Sequence, residues 1–345
     1  MSGTLRVGII GYGFASKTFH APLIAGVPGL ELAAIASSDP TKVHADRPRV
    51  AVDATPAELL ARPEIDLVVI PTPNDTHFLL ARLALAAGKH VVVDKPFTVT
   101  LADARCLQAE AAAAGRLLSV FHNRRWDADF LTLRQVIATG ELGRIVHFES
   151  HFDRYRPQPR ARWREQAGAG SGLWYDLGAH LIDQVLQLFG LPESISLDLA
   201  AQRDGAETDD WFHAVLRHGQ SRCILHGSAL VPVPAPRFTV HGSLGSFFKQ
   251  GLDPQEDQLK AGAYPPTAGW GEDPLSATLS VWRAGLCQTR ELACVAGNYP
   301  AYYAAVRDAI RGVGQNPVTA EEAMHVIGLL ELGLQSAREG RVLPV

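Results

Sequence analysis

Cysteine is scarce in this 345-residue chain. The four present, Cys106, Cys223, Cys287 and Cys294, form no CxxC pair and no regular framework. That leaves free thiols in a reducing cytosol as the simplest reading, with a cytoplasmic location expected. No stretch of 18 or more apolar residues exists, so no membrane span is expected. The first residues are polar and the first apolar run is broken by glycines, so no secretory signal is expected either. Lys/Arg blocks are also missing, and the formal net charge is -4 with a pI near 6.3, which argues against a nucleic-acid partner. The most basic run, Arg154 to Arg164, is interrupted by prolines and aromatics; it suits an anionic ligand but not a duplex. There are no internal repeats.

What is present is an ordinary globular composition, 47% hydrophobic and 20% charged, in a chain long enough for about two domains. The first 122 residues alternate buried-strand and helix patterns with short links. Strands are expected at Leu5–Ile10, Leu30–Ala36, Ile65–Ile70, His90–Asp94 and Leu117–Phe121. This rhythm is that of a doubly wound parallel sheet. After about Asn123 the rhythm changes: helices are expected at 127–138 and from 172 to about 189. Strands are expected at 144–153, 194–202, 211–217, 222–230, 238–241 and 246–249, and closing helices at 299–311 and 319–338. The second half therefore reads as α+β with an antiparallel sheet. Residues 250–297, rich in Gly and Pro, give no clear pattern.

Three places carry chemistry. The first is Gly11-Tyr12-Gly13-Phe14-Ala15-Ser16, between the first strand and a helix. Gly11 permits a tight turn, Gly13 lets backbone approach a pyrophosphate, and the helix N-terminus offers free N–H groups to the phosphates. The adenosine ribose of such a site meets the end of the second strand. There Ser37-Ser38 replaces the acid expected of an NAD site, and Asp39-Pro40 reads as an N-cap and first helical residue. With Lys42 nearby, these hydroxyls suit a 2′-phosphate, so NADP is expected, with NAD possible.

The second is His90-Val91-Val92-Val93-Asp94-Lys95-Pro96. Ligands of open α/β sheets bind at the carboxyl ends of the strands, so Lys95 is delivered to the crevice, and Pro96 bars the strand from continuing. The third is Asp176, His180 and Asp183, spaced i, i+4, i+7 as one polar stripe on an otherwise apolar helix. Three readings stand: a satisfied core histidine, a metal site, or catalysis. Oxidation of a secondary alcohol joins the halves: Lys95 stabilises the developing alkoxide, His180 accepts the proton, and Asp176 orients the ring. No metal is expected.

Gly11-x-Gly13, Asp94-Lys95-Pro96, Trp163-Arg164 and Asp176-x-x-x-His180-x-x-Asp183, in this order, resemble the Gfo/Idh/MocA family over essentially the whole chain. Asp94 stands where that family usually has Glu, and Gly170-Ser171-Gly172 where it has three glycines. The resemblance implies an N-terminal Rossmann domain, residues 1–122, and a C-terminal α/β domain with a large open, mostly antiparallel sheet, residues 123–345. It implies Lys95, Asp176 and His180 as the catalytic group. Cofactor contacts are expected from Gly11, Tyr12, Gly13, Phe14, Ala15, Ser37, Ser38, Lys42, Asp94, Lys95 and Asn123. The Pro71, Thr72, Asn74 and His77 segment looks like the family loop near the nicotinamide, and Trp163 and Arg164 like its cofactor-facing pair. For His77, capping of the helix start is an equal reading. The stretches around Tyr12, Pro71 and Phe121 look closest to a branch with NADP-dependent scyllo-inositol dehydrogenases. Polyol contacts are expected from Lys95, Arg124, His151, Asp153, Tyr155, Arg156, Asp176 and His180.

The expected function is hydride transfer between NADP and a secondary alcohol of a cyclic polyol or sugar. A keto-sugar reductase, a cofactor-assisted glycosidase and a dinucleotide-sensing regulator are the rivals. The expected partners are the small-molecule substrate and further copies of the chain, as a homodimer or homotetramer formed through the C-terminal sheet.

Overall fold

The computed structural model describes residues 3–345. It divides into two compact units, one running to Asn123 with Gln255–Trp270 and Asn298–Met324 added, the other comprising Arg124–Pro254, Gly271–Gly297 and His325–Val345.

The first unit is built on six parallel strands: β1 (Leu5–Ile10), β2 (Leu30–Ala36), β3 (Ala51–Asp53), β4 (Leu67–Ile70), β5 (His90–Asp94) and β6 (Leu118–Phe121). Their order, β3-β2-β1-β4-β5-β6, is the doubly wound order with its reversal between β1 and β4. Val68, Val69, Val91, Val92 and Val93 are fully buried, as strands covered on both faces require. Gly8 is where a helix comes close: an added Cβ would stand 2.8 Å from Leu59. Beyond β6, the segment from the chain's second half closes the sheet edge. Ser119 Oγ lies 2.9 Å from Tyr302 Oη, and the Asn316 amide donates to the Leu118 carbonyl at 2.8 Å. An open strand edge would invite association, so this cover has a physical purpose.

The second unit is built on nine strands: β7 (Ile145–Asp153), β8 (Ser194–Ala200), β9 (Trp211–His218), β10 (Ser221–Ser228), β11 (Phe238–Gly242), β12 (Gly245–Lys249), β13 (Ala277–Arg283), β14 (Leu286–Leu292) and β15 (Leu343–Pro344). Their order is β14-β13-β12-β11-β7-β10-β9-β8-β15. The pairings are antiparallel except for β10 on β7, which are parallel, so the sheet is mixed rather than purely antiparallel. One face is the core: Phe148 packs on Phe189, Phe238 on Phe130, and Trp174 on Phe212. The opposite face stays half-exposed along β7, β9 and β10.

The patternless segment 250–297 holds a helix, Gln255–Lys260, and strands β13 and β14. β14 is exposed at nearly every position, so it lacks the alternation that marks a strand in sequence. No helix among the described residues is long and apolar enough to cross a membrane.

Candidate active site

In the first unit, the turn after β1 has the shape a dinucleotide needs. Gly11 adopts φ of 87°, a left-handed conformation that L side chains avoid. An added Cβ at Gly13 would meet nothing within 4 Å, leaving open space beside the backbone. Ser16, in place of the third glycine, donates its hydroxyl to the Gly11 carbonyl at 2.8 Å and ties the turn. The helix that follows contains a π-helical stretch, Ser16–His20, before Ala21–Ala25. Tyr12 is buried with its hydroxyl on Asp46 at 3.2 Å, and Phe14 is exposed against Phe19.

At the end of β2, the Asp39 carboxylate accepts from the Lys42 N–H at 3.0 Å and caps the helix Pro40–Asp46. The Asp39 N–H donates to Ser37 Oγ at 3.2 Å. Asp39 is thus engaged by the backbone, while Ser38 and the Lys42 side chain are exposed.

Lys95 follows directly on β5, 9% exposed, with a cis bond to Pro96. Its N–H donates to Asp94 Oδ1 at 2.7 Å, and Asp94 Oδ2 lies 3.6 Å from His20 Nε2. The other nitrogen of His20 lies 2.6 Å from Tyr303 Oη. Burial raises the Asp94 pKa, but His20, the Lys95 ammonium and His77 outweigh it and pull it down to about 2. Asp94 therefore stays anionic beneath Lys95 through the physiological range. His77 is fully buried and joins two loops: Nδ1 lies 2.9 Å from the Pro96 carbonyl and Nε2 2.9 Å from the Thr72 carbonyl. Burial keeps its pKa low, and a neutral ring donates to only one of these carbonyls at a time. His77 is a clamp between the Pro71–Asn74 and Lys95–Pro96 loops, rather than a cap of the helix it begins. Asn74 and Asn123 are both buried.

In the second unit, the helix bearing His180 opens with a π-helical turn, Trp174–Gly178, and continues as Ala179–Phe189. Two contacts dictate this start. Asp209 accepts from the Trp174 N–H at 2.7 Å, and an added Cβ on Gly172 would come within 1.9 Å of Asp209 Oδ1. Gly178 leaves room for the Trp174 ring, 2.5 Å from where its Cβ would lie. Burial pushes the Asp209 pKa up to about 6, partly opposed by the N–H groups it accepts from.

Asp176 lies in the π-helical turn, and His180 and Asp183 follow on the α-helical part. Asp183 is bound elsewhere, to Arg125. Asp176 lies 3.5 Å from Arg164 Nε and 4.0 Å from Arg154 Nη1, and the Arg164 guanidinium stacks on Trp163 at 4.4 Å. A cavity here is lined by Arg154, Arg156, Arg162, Arg164 and Arg203 together with Asp176. Arg203 is neutralised by Asp210 at 2.8 Å and Glu165 at 3.0 Å. Arg156 is held below its usual pKa by burial and by Arg160 and Arg162. The proline-broken basic run thus folds into a nest of guanidinium groups around Asp176, with Glu165, Asp209 and Asp210 also on its lining. Arg156 was an expected polyol contact; Arg154 and Arg162 were not among the expected site residues, although the basic run itself was their signal.

His180 is buried. Arg124 is buried too, donating to Asp127 at 3.2 Å and lying over the Phe152 ring at 4.7 Å. Tyr155 is 60% exposed. His151 and Asp153 do not join this group. Ser150 accepts from Arg237, which also donates to Gln184 of the His180 helix at 2.7 Å. Ser150 and Phe152 therefore face the helices, and strand alternation turns His151 and Asp153 to the half-exposed face. The expected polyol contacts from these two residues are set aside.

Residues 5–122 match a family model described as oxidoreductase family, NAD-binding Rossmann fold, and residues 134–345 match the C-terminal alpha/beta domain of the same family. The chain is 59% identical over 343 residues to the uncharacterized oxidoreductase YdgJ of Escherichia coli, covering 99% of both. It is 40% identical to scyllo-inositol 2-dehydrogenase (NADP(+)) IolW of Bacillus subtilis, covering 99% of this chain and 96% of the relative. A solved structure of an oxidoreductase from Bacillus cereus superimposes with a TM-score of 0.91 at 34% identity, covering 99% of each.

Proposed function

This chain belongs to the Gfo/Idh/MocA family of oxidoreductases, and on that premise we propose that it is an NADP-dependent dehydrogenase of a cyclic polyol or sugar, of the scyllo-inositol 2-dehydrogenase type. The observation that carries the reading is the end of β5: a buried lysine at the carboxyl edge of the NAD-binding sheet, underlain by an anionic Asp94.

The bound nicotinamide supplies the hydride acceptor. Gly11, Gly13 and the helix after them hold its pyrophosphate, and Ser37, Ser38 and Lys42 receive the 2′-phosphate. Pro71, Thr72, Asn74, His77 and Asn123 shape the nicotinamide end, with Trp163 and Arg164 on the cofactor. Lys95 stabilises the alkoxide that forms as the alcohol is oxidised. His180 takes the hydroxyl proton, and Asp176 orients and supports it. Asp94 fixes the Lys95 backbone and keeps a counter-charge beneath the ammonium. Arg124 and Tyr155 are polyol contacts. The protein acts in the cytoplasm as a homodimer or homotetramer joined through the half-exposed face of the second sheet; light scattering that gives a monomer rejects this.

The test is a panel of inositols and sugars with NADP or NAD, read as accumulation of reduced cofactor. Steady NADPH production with scyllo-inositol or a related polyol supports the proposal. No net cofactor turnover with any polyol defeats it.

A further inference from the structure

The half-exposed face of the second sheet carries a cluster that the proposed hydride transfer does not use. His226 on β10 stands directly opposite His151 on β7, and directly opposite His213 on β9. Three imidazoles therefore line up across adjacent strands. Glu149 and Asp153 flank His151 on its own strand, two residues to either side, and share its face.

Their contacts have the form of a metal site. His151 Nε2 lies 2.8 Å from Glu149 Oε1, so the proton on that nitrogen is fixed and Nδ1 points the other way. Nδ1 lies 3.3 Å from Asp153 Oδ2. Asp153 Oδ1 is buried and has no hydrogen-bond donor among the described residues; it faces His226 Nε2 at 3.7 Å. One donor atom from each of His151, Asp153 and His226 lies within 4.8 Å of the others. Donors about 2.0–2.1 Å from a common tetrahedral ion stand roughly 3.3 Å apart; His151 Nδ1 and Asp153 Oδ2 have this separation, while His226 Nε2 faces the other oxygen of the same carboxylate.

We infer that His151, Asp153 and His226 bind one divalent transition metal of the zinc class, with Glu149 orienting His151. Two imidazoles and one carboxylate favour zinc, cobalt or nickel over magnesium or calcium. A carboxylate on the far nitrogen of a ligating histidine is the usual second partner in such sites. Imidazole binds a metal only through a deprotonated nitrogen, so binding releases any proton held on Nδ1. The fourth coordination position is left to water or another small ligand. The ion would tie β7 to β10, the one parallel pair in the sheet.

The test uses the full chain without an affinity tag, stripped by a chelator and titrated with zinc chloride in a calorimeter and with cobalt(II) optically. The expected result is one zinc per chain at micromolar affinity or tighter, proton release, a raised melting temperature, and a tetrahedral cobalt spectrum. His226→Ala and Asp153→Asn each weaken binding at least about 100-fold, and Glu149→Gln about 10–100-fold. Absence of stoichiometric binding, an octahedral cobalt spectrum in the unmutated chain, or undiminished zinc affinity in either ligand variant overturns the inference.

Discussion

Arg125 grips Asp183 with two nitrogens, Nη2 to Oδ1 at 2.7 Å and Nε to Oδ2 at 2.9 Å, and both side chains are buried. The pair joins the segment after β6 to the helix that carries His180. It gives Asp183 a structural role three residues after a candidate base. Breaking a buried pair leaves an uncompensated charge, which costs about 3–5 kcal/mol. Asp183→Ala is therefore expected to lower stability by that amount in urea denaturation, while Arg125→Met with Asp183→Leu recovers much of it. An unchanged midpoint in the single variant contradicts this role.

Lys95→Met is expected to keep the fold, because the neighbouring Asp94 and His77 contacts to this loop run through backbone atoms of residues 95 and 96. The ammonium is lost, and with it about 10²–10³-fold in kcat. Steady-state rates with NADP and the best polyol decide the matter; a variant with native rates removes Lys95 from the mechanism.

His180→Gln removes the proton acceptor and keeps a side chain of similar reach. The expected loss is about 10²–10⁴-fold in kcat with KM little changed. A variant with native kcat removes His180 from the mechanism.

Cofactor choice is read at Ser37 and Ser38. Ser38 is exposed, and the acid beside it, Asp39, caps the next helix through Oδ1. Ser38→Asp is expected to reduce kcat/KM for NADP tenfold or more, about 1.4 kcal/mol, and to leave that for NAD equal or higher. Equal effects on both cofactors would move the specificity elsewhere.

Asp209 supplies a pH prediction. Its folded pKa, about 6, lies above the usual carboxylate value, so the folded state holds a proton that the unfolded state has released. The stability from this group is present at acid pH and declines as pH rises from about 4 through about 6, by roughly 2–3 kcal/mol. Asp209→Asn keeps an oxygen for the Trp174 N–H and removes the ionisation. It is expected to flatten the melting temperature across that window and to raise it at neutral pH. The same slope in both proteins rejects the assignment.

Much of this was legible in the residues because it depends on local pattern. Runs such as Val91–Val93 mark strands buried on both faces, and glycine at position 11 marks a left-handed turn. The order of strands and helices along the chain then leaves little choice but the parallel doubly wound sheet. The same patterns found β7 to β12 of the second sheet, but not β13 to β15 and not the pairing of any. β10 lies parallel to β7 because contacts far apart in sequence set strand order, and no local pattern carries that information. β14 was missed because an exposed edge strand has no buried face to alternate against.

At the site, the sequence by itself determined which chemistry is available: an ammonium after a buried strand, an imidazole within an apolar helix, and two serines directly after β2. Only the tertiary structure decided which charges are already satisfied. It gave Asp183 to Arg125, gathered scattered arginines around Asp176, and turned His151 and Asp153 toward His226 on a neighbouring strand. The reason is physical: a side chain's type and spacing are written in the chain, but its partner is fixed by packing between elements distant in sequence, and one strand face is enough to redirect it.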